Sequence, residues 1–159
     1  MDNVFKEEQK FTQWWFWVLL IGMTLLPIYE IISQWNVKEQ DISDNGQITF
    51  VLFSFGLIIL FLFLRLKTKI DSNEIKISYR PFLTKRIAWK DVETAKVISY
   101  GFVGGWGIRL WTKYGTVYNT KGKVGLALVL KNGKKLLVGT QKEDELKESI
   151  NSIMNLLNQ

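Results

Sequence analysis

From Ile48 to Leu64 the chain reads Ile-Thr-Phe-Val-Leu-Phe-Ser-Phe-Gly-Leu-Ile-Ile-Leu-Phe-Leu-Phe-Leu, without one charged side chain, and then runs straight into Arg65-Leu66-Lys67-Thr68-Lys69. A soluble domain of 159 residues has no core that can enclose a helix apolar on every face, whereas about 17–25 such residues match the hydrocarbon thickness of a bilayer. The stretch is therefore expected to cross a membrane, as a helix over about 47–66.

A second apolar stretch, Trp14 to Ile32, precedes it. It opens with Trp14-Trp15-Phe16-Trp17 and is followed by Trp35, so aromatic side chains mark both ends of a helix over about 14–33, as they do at membrane–water interfaces. No small-residue cleavage site follows and the aromatic start is wrong for a signal n-region, so a retained span is expected. Pro27 removes one backbone donor and can kink this helix; Glu30, close to the Trp35 end, reads as a carboxylate reaching interfacial water. The connector Gln34 to Gln47 holds the turn pair Asn45-Gly46 and is short enough to force an antiparallel hairpin. Lys6 and Lys10 lie before the first span, Lys38 between the two, and Arg65, Lys67 and Lys69 directly after the second. The positive-inside rule then places both termini in the cytoplasm and the connector outside.

After the second span the hydrophobic period changes from all-round to alternating. Ile75, Ile77 and Tyr79 share one strand face, Arg80-Pro81-Phe82-Leu83 is a turn, and Lys85 to Trp89 and Asp91 to Tyr100 read as further strands. Three glycines within Gly104 to Gly107 call for backbone at positive φ or in close approach. Strands follow at Ile108 to Trp111 and Thr116 to Asn119. Val124 to Leu130 and Lys134 to Val138 pair as a hairpin across Asn132-Gly133. Thr140 and Glu143 are spaced as a capping box for a final helix whose apolar positions are Leu146, Ile150, Ile153, Met154 and Leu157. The expected fold class is a membrane protein of α+β type: residues 1–66 hold a short amphipathic or frayed lead-in and a two-helix transmembrane hairpin, and residues 67–159 form a cytoplasmic antiparallel barrel or sandwich of about seven strands capped by a C-terminal helix.

Charge divides the chain unevenly. From Arg65 onward there are 18 Lys and Arg against 8 Asp and Glu, a net +10, whereas residues 1–64 carry 3 against 7, a net −4. The chain has no His and no Cys, which removes the commonest general base, the commonest metal ligand and all thiolate chemistry. No HExxH, GxxxxGK[ST] or GxGxxG pattern occurs. The sequence therefore points away from an enzyme and calls for no metal or other cofactor. Its basic residues are spread along strands without a recognisable nucleic-acid motif, so nucleic acid is not an expected partner.

In chain order, Ile87-Ala88-Trp89-Lys90-Asp91-Val92, Gly105-Trp106-Gly107-Ile108-Arg109, the turn from Tyr118-Asn119 to Gly122, and Gly139-Thr140-Gln141-Lys142 leading to Glu145-Leu146 resemble the bacterial pleckstrin-homology-like (PH-like) domain proteins. The resemblance runs from about Lys67 to Ile153. It implies a strongly bent seven-stranded barrel capped by a helix, in a protein of the bacterial inner membrane, and it implies little chemistry.

Candidate binding residues are Arg80, Lys85 and Arg86 around the turn, with Lys69 beside them; such cations can hold anionic head groups, each contributing about 1 kcal/mol near an anionic leaflet. Arg109 alternates with Ile108 and Leu110, and is expected to pair with Asp91 or Glu93 or to meet a ligand. Trp106 and Trp111 either fill the barrel mouth or line a groove. Two functional readings result. The first is a noncatalytic module recognising membrane lipids or another membrane protein; the second is a structural subunit whose hairpin packs on a partner or on itself, with Ser54 and Gly56 allowing close approach.

Overall fold

A computed structural model describes residues 4–34, 43–101 and 105–157. The chain divides into two compact units, Phe11–Phe63 on one hand and Met1–Lys10 with Leu64–Gln159 on the other. The class is α+β: two apolar helices near the N-terminus, two β-sheets, and one C-terminal helix.

The first unit holds α1 (Trp14–Gln34) and α2 (Ser43–Phe63), which pack against each other. Both are long and apolar enough to cross a membrane, and only 11% and 6% of the residues in their apolar windows are buried. The core helix of a soluble protein would be mostly covered, whereas here Val18, Leu25, Leu26, Leu52, Phe53 and Phe63 are all exposed. Among the few buried side chains are Leu20, Thr24 and Ser54. The two hydroxyls bond back to their own helices, Thr24 to the Leu20 carbonyl at 2.9 Å and Ser54 to that of Phe50 at 2.8 Å. That satisfies both hydroxyls within their own helices. Phe11, Phe16 and Phe61 form an aromatic cluster, with Phe61 at 5.2 Å from Phe11 and 4.7 Å from Phe16 between ring centroids. Glu30 accepts a hydrogen bond from Gln47 at 3.3 Å while remaining exposed.

α1 continues through Pro27 as one helix. Other expectations change here. Asn45-Gly46 lies inside α2 and not in a turn before it, and α2 stops at Phe63 because Arg65 and Leu66 already belong to a strand. Within this chain Gly56 faces open space. Residues 35–42, with Lys38, lie outside the described residues.

The second unit is the head. Sheet A has the order β1-β2-β3-β4 and is antiparallel throughout: β1 (Phe5–Lys10), β2 (Arg65–Ile70), β3 (Glu74–Arg80) and β4 (Leu83–Ala88). A 3-10 turn, Trp89–Asp91, leads to sheet B, and Trp89 Nε1 donates to the Asp71 carbonyl at 2.7 Å, tying this turn to the β2–β3 turn. Sheet B has the order β5-β8-β9-β7-β6, from β5 (Val92–Ser99), β6 (Gly107–Thr112), β7 (Gly115–Asn119), β8 (Val124–Leu130) and β9 (Lys135–Thr140). β7 and β9 run parallel, a correction to the all-antiparallel expectation. The core joins Leu66, Ile75 and Ile77 of sheet A, Leu126, Leu128 and Val138 of sheet B, and Leu146, Ile150 and Ile153 of α3 (Glu143–Leu157), which packs on β5, β1 and β8.

The lead-in before α1 is not frayed. It is β1, an edge strand of the head, burying Phe5, Glu7 and Gln9 on alternate positions. Gln9 Nε2 donates to the Gly139 carbonyl at 2.7 Å and Gln9 Oε1 accepts from Thr120 at 2.8 Å. Glu7 accepts from the Thr140 hydroxyl at 2.6 Å and from the Gln141 N–H at 2.7 Å. Gly139 is packed close by β7 and Tyr100, since a Cβ there would press on Asn119 and on the Tyr100 hydroxyl. The Thr140–Glu143 capping box does not form. α3 begins only at Glu143, and Thr140 spends its hydroxyl on Glu7 and on accepting from the Lys142 N–H.

Candidate anion-binding face

Side chains alternate across a strand, so antiparallel pairing lines up whole rows of them. One row across sheet A is Lys6, Lys69, Lys76 and Arg86; the next is Glu8, Lys67, Ser78 and Thr84; the third is Lys10, Arg65 and Arg80. All of these lie on the face away from the core, since the alternate positions Phe5, Leu66, Ile75, Ile77 and Ile87 are the buried ones. A cavity of about 670 Å³ opens on this face, its cationic lining supplied by Lys6, Lys67, Lys69, Lys76, Arg80 and Arg86.

Carboxylates are few on the face, and Glu8 and Asp71 are engaged. Glu8 pairs with Arg65 at 2.7 Å and with Lys67 at 2.7 Å, and Asp71, at the end where Glu74 also lies, pairs with Lys69 at 2.8 Å. Hydrogen bonds from Lys67 and then Arg65 hold the Glu8 carboxyl down at about 2. The bond to Asp71 raises the Lys69 ammonium, and the same bond lowers Asp71. Among the described residues Lys6, Lys10, Lys76, Arg80 and Arg86 make no ion pair. Near the middle, the Ser78 and Thr84 hydroxyls share a hydrogen bond at 2.8 Å.

Folding does not ask for this arrangement. Lys69 stands directly opposite Lys76, Arg65 opposite Arg80, and Lys76 opposite Arg86, and like charges placed so are destabilising. Charged residues on outer strands commonly guard a sheet against edge-to-edge pairing. That accounts for Lys6, Lys10 and Arg86 on β1 and β4, but not for the cations of β2 and β3, which are interior strands. What such a face can do is hold anions. Adjacent strands lie about 4.7–4.9 Å apart, so neighbouring cations in one row can reach the oxygens of a single phosphate.

The residues singled out in the sequence do not all meet. Arg80, Arg86 and Lys69 share the face. Lys85 is separated from them, because the residue between two outward positions points the other way. It lines a second cavity of about 250 Å³ with Leu110, Trp111, Lys134 and Leu136, and burial, followed by the charge of Lys134, lowers its ammonium from the usual lysine range. Arg109 lies elsewhere, exposed on β6. Among the described residues it pairs with neither Asp91 nor Glu93. Its guanidinium covers Gly105, whose φ of +125° suits glycine and where any Cβ would collide with it. Trp106 is half-buried next to Gly105, and residues 102–104 of this loop lie outside the described residues. Trp111 does not fill a barrel mouth: it is 94% exposed, at a φ of 55° in the irregular part of the β6–β7 pairing.

Lys6, Lys10, Arg65, Lys67 and Lys76 were missed as members of the site. Their signal is the shared parity of Arg65-x-Lys67-x-Lys69, Lys76-x-Ser78-x-Arg80 and Thr84-x-Arg86, legible once the strand registers are known. Among the described residues no group of three or more acidic, His or Cys side chains could hold a metal ion. Comparison with protein-family models and with curated proteins finds no match to this chain.

Proposed function

We propose that this chain is a noncatalytic binding module of the PH-like type, anchored in the inner membrane by α1 and α2, whose sheet A face takes the anionic head groups of lipids at the cytoplasmic surface. The observation that carries the reading is the set of like-charged cross-strand neighbours on interior strands, a cost to folding that an anionic ligand turns into affinity. The exposed apolar surfaces of α1 and α2 support the anchor. Anchoring keeps the face within reach of head groups, so that modest contacts suffice, at about 1 kcal/mol per cation. The other reading, a structural subunit assembling through the hairpin at Ser54 and Gly56, gives no account of the cationic rows of sheet A, which lie outside the hairpin.

The test uses the full chain in a neutral detergent, titrated with phosphatidylglycerol or phosphatidylcholine, with retained lipid counted by native mass spectrometry. Phosphatidylglycerol should be retained in preference, and changing Lys76, Arg80 and Arg86 together to Glu should weaken its retention at least about tenfold. Equal retention by the variant would rule out this face as the binding surface.

A further inference from the structure

The third cationic row, Lys10, Arg65 and Arg80, marks one end of sheet A. It is the end at which the chain leaves for α1 and returns from α2: Phe11, Thr12 and Gln13 separate β1 from α1, and Leu64 alone separates β2 from α2. The β3–β4 turn, Pro81 and Phe82, projects from that same end, because Arg80 is the β3 partner of Arg65. Phe82 is 58% exposed although it is fully apolar, and Pro81 beside it is exposed too. The opposite end of the sheet has a different character. Its β2–β3 turn is Asp71-Ser72-Asn73, polar and acidic.

Resting on the membrane-anchored reading above, we propose that the Pro81–Phe82 turn is an interfacial wedge: Phe82 enters the leaflet surface where α1 and α2 meet the cytoplasm, while Lys10 and Arg80 take lipid phosphates around it. An exposed aromatic ring at the end of a sheet that carries a row of cations fits a membrane–water interface, with the ring among head groups and acyl-chain ends and the charges at phosphate level. Arg65 contributes less, being engaged by Glu8.

The natural chain has no Cys, so single cysteines report unambiguously. Full-length chains carrying Phe82→Cys, Asn73→Cys or Leu52→Cys, each labelled with an environment-sensitive fluorophore, are reconstituted into phosphatidylglycerol/phosphatidylcholine vesicles with a nitroxide high on the acyl chain. Phe82, Asn73 and Leu52 are all exposed, so the labels leave the cores intact. Strong quenching at 82 and 52 with little at 73 is expected. Quenching at 52 but none at 82, or quenching at 73 equal to that at 82, overturns the wedge and leaves the anchor standing. Absence of quenching at 52 overturns the anchor and the wedge together.

Discussion

Gln9 bonds to both ends of one polar seam, donating to Gly139 and accepting from Thr120, while Glu7 two residues earlier bonds to Thr140 and Gln141. The bonds of Gln9 and the Thr140–Glu7 bond are buried, so losing one partner costs more than a surface hydrogen bond would. Gln9→Leu should lower the stability of the head by about 1–3 kcal/mol, seen as a reduced melting temperature of the detergent-solubilised chain; an unchanged value would show that the seam closes over the loss. Titration offers a second test at this scale. The Glu8 carboxyl sits at about 2, below its ordinary 4.5, so the charge it gives the face persists through neutral and mildly acidic pH and disappears only as pH falls towards 2. The linkage has the same sign: whatever stability the ion pairs of Glu8 supply is present above its ordinary carboxylate range and lost as pH falls through the depressed one. With no His in the chain, head-group retention should be flat between about pH 5 and 8, and a sigmoidal change in that window would require a titrating group that the face lacks.

Among the elements, β1 shows where sequence and structure part company. Its buried positions are Phe5, Glu7 and Gln9, two of them polar, so alternation of apolar residues, the usual mark of a strand, is hidden. Only partners more than a hundred residues away make those positions interior. Thr140 misleads for the same reason: its spacing to Glu143 suggests a local cap, but its hydroxyl donates its hydrogen bond to a distant carboxylate. By contrast the two apolar helices, the Asn132-Gly133 hairpin and the face of α3 carrying Leu146, Ile150 and Ile153 follow from local sequence and form as elements where expected, with α2 shifted towards the N-terminus. The basic turn was legible as a cluster in sequence, yet Lys85 left it, because parity on a strand decides company more than proximity does. Deleting residues 1–10 should expose the inner edge of β2 and make the head sensitive to protease while α1 and α2 stay membrane-bound. Equal resistance of the truncated and intact heads would show that β1 is dispensable.

Taken as a whole, the molecule begins its head before the first helix and completes it after the second. β1 and β2 pair residue for residue from Phe5–Ile70 to Lys10–Arg65, so if α1 and α2 cross a bilayer, both of their ends joined to the head must emerge on one side, whatever the charge rule says about which side that is. On the proposed reading, the positive-inside rule applied to the charge asymmetry assigns that side to the cytoplasm. Membrane-impermeant maleimide labelling of intact bacterial cells expressing single-cysteine chains tests this most directly, with Lys38→Cys in the connector and Asn73→Cys in the head. The connector cysteine should be labelled in intact cells and the head cysteine only after permeabilisation; a head cysteine labelled in intact cells, or a chain recovered in the soluble fraction, would contradict the membrane-anchored cytoplasmic head on which the proposed function depends.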